Sequence, residues 1–262
     1  MNYLITGSEG FVGQNLTRKL EELGCVFKFN ESDLIRGNWT KTLESKVKKS
    51  NIIFHVGAIS STDASDVNEV MFKNYEFSKI LFDLAQKYRV KVIYSSSAAI
   101  YGLGDGIPRN LYAWSKKAAE DYGVVNNNQF VSLRYYNVFG AGEGHKGKMA
   151  SIAYQSYNQK EFKLFPSKPK RDFVYIKDVI SANLAAIDAH NGVYDVGTGI
   201  SRPFEDVLDI LGVKYTYYSS SLIPPWYQFK TQANKDKFLP NWKPEYNLEK
   251  ALKEYKEYLK YE

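Results

Sequence analysis

The first two dozen residues do most to limit what this chain can fold into. NYLIT, residues 2–6, is an apolar run of strand length, GSEGFVG follows it, and from Phe11 the apolar side chains fall at positions 11, 12, 16, 20 and 23, the spacing of one helix face. A strand that turns through Gly7, Gly10 and Gly13 into a helix places unbonded N–H groups and positive dipole charge at the strand's end. Glycine there lets a diphosphate come close to the backbone, so the unit is a candidate dinucleotide cradle.

Further strand-like runs follow at CVFKF, NIIFHVGA, VKVIYSSS and QFVSLRYY, with helical patterns near 39–49, 69–88 and 112–126 between them. Regular alternation of this kind predicts an α/β fold, a Rossmann-like doubly wound parallel sheet with helices on both faces. Beyond residue 138 the pattern breaks into shorter pieces, SIAYQSYNQ, FKLF, DVISANLAAIDAH, PFEDVLDIL and YTYYS. The expected division is an NAD(P)-binding part over 1–138, rejoined by a strand near 193–199, and a smaller, mainly substrate-binding C-terminal lobe over 139–262.

Composition closes off other classes. The 262 residues are 44% hydrophobic and 24% charged, no run approaches the roughly 18 apolar residues of a membrane span, and MNYLIT lacks the features of a leader. Cys25 is the single cysteine, which leaves neither a disulfide framework nor a cysteine metal site and fits a reducing cytoplasm. The formal charge is +6, but acids and lysines interleave, as in LEKALKEYKEYLKYE, so an anionic small molecule accounts for it without nucleic acid or a membrane.

With 21 tyrosines in the chain, Tyr-x-x-x-Lys arises by chance, and it occurs at Tyr75/Lys79, Tyr112/Lys116 and Tyr246/Lys250. Only the second follows a strand ending in serines, Ser95-Ser96-Ser97, at the sheet's carboxyl edge where α/β sites assemble. Residues four apart share a helix face, so the Lys116 ammonium would act on the Tyr112 phenol. At about 4 Å and an effective dielectric of about 20 a unit charge is worth about 4 kcal/mol, roughly three pKa units of lowering. A phenol so tuned takes a proton from a hydroxyl while hydride leaves the same carbon, and Ser97 hydrogen-bonds the oxygen. The end of the second strand offers Asn30 and Glu31, with Asp33 and Arg36 behind them, to an adenosine ribose. A carboxylate there favours NAD and an arginine favours NADP, and the residues leave both open. GEGHKGKMAS, residues 142–151, frames His145 and Lys146 with glycines.

TGSEGFVG, SSSAAIYG and YAWSK together resemble the extended short-chain dehydrogenase/reductase family. FHVGAISST, NYEFSK, RYYNVFG, EGHKGKMAS, KRDFVYIKDV and WYQFKTQA resemble, in that order, its ADP-glyceromanno-heptose 6-epimerase branch. The resemblance implies a nucleotide-sugar epimerase that inverts C6 by transient oxidation and re-reduction, with a tightly held NADP or NAD. Such inversion uses two proton handlers, and by similarity these are Tyr112 and Lys146. It also implies Ser97, Tyr112 and Lys116 as the catalytic set, with Tyr112 and Lys116 touching the cofactor as well. Gly10, Phe11, Val56, Gly57, Ala58, Ser60, Asn74 and Val138 match cofactor contacts. Ser97, Asn137, Phe165, Arg171 and Tyr227 match substrate contacts, and Lys148 and Gln155 take substrate-binding positions where the family carries serine and histidine. Relatives form homo-oligomers, which the resemblance extends to this chain. Sugar-nucleotide dehydratases carry an Asp-Glu pair where this chain has Ala98-Ala99, so dehydration lacks its acid. The alternatives are another nucleotide sugar, such as GDP-heptose or an NDP-hexose, a net oxidoreductase, and a dinucleotide-binding protein without catalysis. No metal is expected.

Overall fold

The computed structural model describes residues 1–166, 168–218 and 227–261. Ser219 of YTYYS and Trp226 of WYQFKTQA lie outside the described residues. The chain opens with strand β1 (Asn2–Thr6), helix α1 (Phe11–Glu21), β2 (Cys25–Phe29), α2 (Glu31–Leu34), α3 (Trp39–Lys48) and β3 (Ile52–His55). It continues through α4 (Val67–Met71), a π-helical turn (Phe72–Glu76), α5 (Phe77–Tyr88), β4 (Lys91–Ser97), α6 (Leu111–Asn126) and β5 (Phe130–Tyr135). After these come β6 (Asn137–Phe139), α7 (Ile152–Tyr157), β7 (Glu161–Leu164), β8 (Lys170–Tyr175) and α8 (Ile176–Ala185). The last are β9 (Gly192–Val196), β10 (Ser201–Pro203), α9 (Phe204–Leu211), β11 (Lys214–Tyr217) and α10 (Leu248–Leu259).

Six strands form one parallel sheet in the order β2-β1-β3-β4-β5-β9. Strands β1 and β3 read as apolar runs because both faces are covered, whereas edge strand β2 leaves Cys25 and Lys28 exposed. Successive side chains point to opposite faces, so Leu4, Ile53 and Val92 enter one core while Ile5, Phe54 and Ile93 enter the other. The first core is closed by Leu43 of α3, Leu81 of α5 and Ala119 of α6; the second by Leu16 of α1 and Val179 of α8. Burying each such leucine contributes about 2 kcal/mol. The order reverses between β1 and β3, so the connections after them leave in opposite directions and a crevice opens at their carboxyl ends.

The expected returning strand is present as β9, which pairs with β5 and begins three residues before DVGTG. QFVSLRYY does not continue into the next strand: after Tyr136 the chain enters β6, which pairs with β8 in a separate three-stranded sheet. The C-terminal segment, read above only for its charge, is helix α10, whose Leu248, Ala251, Leu252, Tyr255 and Leu259 form one buried stripe.

Candidate active site

The glycine turn is shaped by contacts within the protein at two positions and by none at the third. Gly7 has φ +68°, and a Cβ on it would lie 2.5 Å from Gly57 Cα, so the connections above β1 and β3 touch backbone to backbone. A Cβ on Gly13 would lie 1.9 Å from the Gly7 carbonyl oxygen. On Gly10 it would meet nothing closer than 3.5 Å, at an ordinary φ of −75°. Helix α1 begins at the next residue with no side chain capping it and no acid in its first turn. Space at Gly10 and free helix N–H groups fit an incoming diphosphate.

Around this turn runs a cleft of about 850 Å³. Gly7, Gly10, Phe11, Gly13, Asn30, Glu31, Val56, Gly57, Ala58, Ser60, Tyr112, Lys116 and Val138, all expected to hold the cofactor, line it, as do Lys73 and Glu9. The Asn30 side chain is committed: Oδ1 accepts from Ser8 N at 2.8 Å and from its hydroxyl at 3.0 Å, and Nδ2 donates to Glu9 at 3.0 Å. Two expected contacts stand outside the cleft lining. Asp33 is outside the cleft wall, its carboxylate accepting the Asn30 N–H at 2.9 Å at the start of α2. Asn74 is 1% exposed and acts behind the wall. From the π-helical turn it accepts from Ile59 N at 2.7 Å and donates to Ile59 O and to the Ser115 hydroxyl, each at 2.9 Å.

Strand β4 delivers Ser97 and α6 delivers Tyr112 and Lys116 to the middle of the same cleft. Asn110 starts α6 by accepting from Ala113 N at 2.8 Å, which places Tyr112 in the first turn and Lys116 one turn later. Lys116 is 3% exposed, its ammonium 4.4 Å from the centre of the Tyr94 ring. Burial pushes it down to about 7, against the pull of Glu120, which Arg134 and Ser132 hold by hydrogen bonds. Burial likewise pushes the Tyr112 phenol up, opposed by the Ser97 hydroxyl. The expected lowering of the phenol by Lys116 is therefore absent in the protein by itself: burial raises the phenol, and the Ser97 hydroxyl opposes that rise. The two other Tyr-x-x-x-Lys pairs lie outside this cleft.

Lys146 reaches the cleft from a short 3-10 turn, Gly144–Met149, that kinks at Gly147 (φ 53°). Its Nζ lies 5.5 Å from the centre of the Phe11 ring, and burial pushes it down while Glu143 acts to raise it. Lys148, two residues on, is exposed and outside the cleft wall. Gln155 lines the cleft with Nε2 donating to Ala150 O at 2.6 Å.

At the far end Asn137, Phe165 and Tyr227 line the cleft, and Asn137 accepts from the Thr231 hydroxyl at 3.2 Å. Arg171 stands one layer back, 8% exposed between the rings of Phe204 at 5.5 Å and Tyr227 at 5.1 Å. No carboxylate pairs with it among the described residues; neighbouring Asp172 instead accepts from Thr198 N, Gly199 N and Ala233 N. Glu9 and Glu31 are the carboxylates of the cleft wall among the described residues, and both sit beside the glycine turn, away from Ser97 and Tyr112. The sequence reading missed Lys73, Tyr136 and Tyr218 of the wall; Tyr136 lies within RYYNVFG but no spacing singles it out, and no motif points to the other two.

The family model described as the NAD dependent epimerase/dehydratase family matches residues 3–197. This chain belongs to that family. Its members are enzymes, and the chain is similar over nearly its full length to relatives of known name. The ADP-L-glycero-D-manno-heptose-6-epimerase of Fusobacterium nucleatum is 30% identical, with 96% of each chain covered. That of Brachyspira hyodysenteriae is 30% identical over 98% of this chain and 97% of its own. Among solved structures, the Helicobacter pylori ADP-L-glycero-D-manno-heptose-6-epimerase superposes with a TM-score of 0.88 at 30% identity, covering 100% of this chain and 96% of the other. No helix among the described residues is long and apolar enough to cross a membrane.

Proposed function

We propose that the chain inverts C6 of ADP-glycero-manno-heptose by oxidising and re-reducing that carbon, with a retained NADP or NAD. The observation that carries the reading is that two proton-handling groups from separate elements, Tyr112 of α6 and Lys146 of the 144–149 turn, line one cleft with the glycine turn. A bound nicotinamide supplies hydride removal and return. Tyr112 takes and returns the C6 hydroxyl proton for one configuration and Lys146 does so for the other, while Ser97 hydrogen-bonds the oxygen. A lysine made less basic by burial suits this, because proton transfer is best near a matched pKa. Phe165 and Tyr227 offer ring faces to the ADP, and Arg171, with no acid to neutralise it among the described residues, attracts the diphosphate. With no carboxylate but Glu9 and Glu31 on the cleft wall among the described residues, elimination of water lacks an acid next to Ser97, which favours epimerisation over dehydration.

The test is a proton NMR time course with ADP-D-glycero-D-manno-heptose and no added cofactor, following the C6 signals. The L-glycero epimer should appear in wild type and be lost in Tyr112→Phe and Lys146→Ala. No epimer even with NAD and NADP supplied would refute the reading, and net formation of NAD(P)H would replace it with an oxidoreductase.

A further inference from the structure

Glu143 is 0% exposed and stands three residues before Lys146. Four donors converge on its carboxylate. Oε1 accepts from Gly140 N at 3.1 Å, the Ser151 hydroxyl at 2.7 Å and the Tyr255 hydroxyl at 3.0 Å; Oε2 accepts from Ser151 N at 2.6 Å. Its own carbonyl accepts the Lys146 N–H at 2.9 Å. Gly140 and Ser151 are the two ends of the loop that carries Lys146, and Tyr255 belongs to α10, more than a hundred residues away in the chain.

A buried carboxylate is costly to desolvate and is tolerated only when its oxygens are filled, as these are. Lys146 stands within the loop that these bonds close, its backbone N–H held by the Glu143 carbonyl. Without the bracket, the glycines at 140, 142, 144 and 147 would leave the loop free to swing.

We infer that Glu143 is the positioning residue for Lys146: it locks both ends of the 140–151 loop to each other and to α10, and so holds the lysine amine over the cleft. The inference deepens the proposed function and rests on Lys146 acting there as a proton handler. It does not involve Tyr112, Lys116 or the glycine turn.

The experiment compares Glu143→Ala, Glu143→Gln and Tyr255→Phe with wild type in steady-state epimerisation, with cofactor content and melting temperature measured alongside. Glu143→Ala should lower kcat at least 30-fold with KM and cofactor content within threefold. Glu143→Gln, which keeps one acceptor oxygen, should recover part of that loss. Tyr255→Phe removes one hydroxyl only and folds even if Glu143→Ala does not; it should lower kcat 3- to 10-fold at unchanged KM. Unchanged kcat in these variants, or a parallel fall of kcat, cofactor content and melting temperature that Gln does not relieve, overturns the inference. If wild type itself turns over no ADP-heptose, the proposed function fails separately, and amide hydrogen exchange across 140–151 then judges the bracket. Exchange slow in wild type and fast in Glu143→Ala supports it, and equal exchange overturns it.

Discussion

Replacing Gly10 with alanine separates the fold from cofactor binding, because the protein presses on the other two glycines of the turn and leaves this one free. At Gly10 the new methyl meets nothing closer than 3.5 Å and the backbone angles are ones alanine adopts readily. Lower chain entropy in the unfolded state stabilises by about 0.5 kcal/mol, and alanine's weakness as an N-cap costs about as much. The net change should lie within about 1 kcal/mol of zero, about 3 °C in melting temperature for a chain of this size. Cofactor affinity should fall steeply. The methyl holds a diphosphate off the helix start, and losing two charge-assisted N–H bonds at about 1.5–2 kcal/mol each weakens binding by two to three orders of magnitude. Gly13→Ala should behave differently: its Cβ would sit 1.9 Å from a backbone oxygen that cannot yield, and overpacking of that kind costs about 3 kcal/mol of stability. Circular-dichroism melts and calorimetric titration with NAD and NADP read both quantities. If Gly10→Ala binds cofactor within threefold of wild type, or melts as early as Gly13→Ala, the cradle assignment is wrong.

Three further outcomes follow from the site. In cofactor-free protein Lys116→Met should be more stable than wild type, most at and below pH 7. The native amine near 7 binds fewer protons than the unfolded one near 10.5, so wild type regains stability as pH rises through that window, and melts from pH 6 to 10 should show the gap of a few kcal/mol closing. Glu31→Gln should move cofactor preference toward NADP by about tenfold, measured as the ratio of dissociation constants. It removes a carboxylate from the cleft wall and leaves Lys73, now shared between Glu31 and Glu69, with Glu69 alone, so its ammonium can also meet a 2′-phosphate. Arg171→Met should raise KM for the nucleotide sugar at least tenfold with little change in kcat and no loss of melting temperature, since no ion pair is broken among the described residues; an early melt would mark the arginine as structural.

The main sheet was legible in the sequence because a strand buried on both faces must be apolar throughout, and a glycine turn between strand and helix has few alternatives. The position of Ser97, Tyr112 and Lys116 followed from their order along β4 and α6. Harder to see were the effects of burial. From spacing alone the ammonium of Lys116 lowers the phenol of Tyr112, but spacing carries no information on desolvation, which reverses the sign. Asn74 enters only through the resemblance, which carries no geometry; on the π-helical turn its amide bonds Ile59 rather than lining the cleft. Glu143 and Tyr255 have no local signature, since what joins them is the packing of distant segments. Lys148 shows the converse, a residue adjacent in sequence to the site and turned away from it.

The π-helical turn at Phe72–Glu76 lies inside an otherwise continuous helical run from Val67 to Tyr88. A turn of this kind holds one residue more than an α-helical turn. Deleting a single residue here would thus repair the helix while rotating Asn74 away from Ile59 and Ser115. The irregularity is an insertion that the chain keeps at the expense of helical regularity, and a one-residue deletion scan would find a helix that grows more ideal as the enzyme's cofactor wall comes undone.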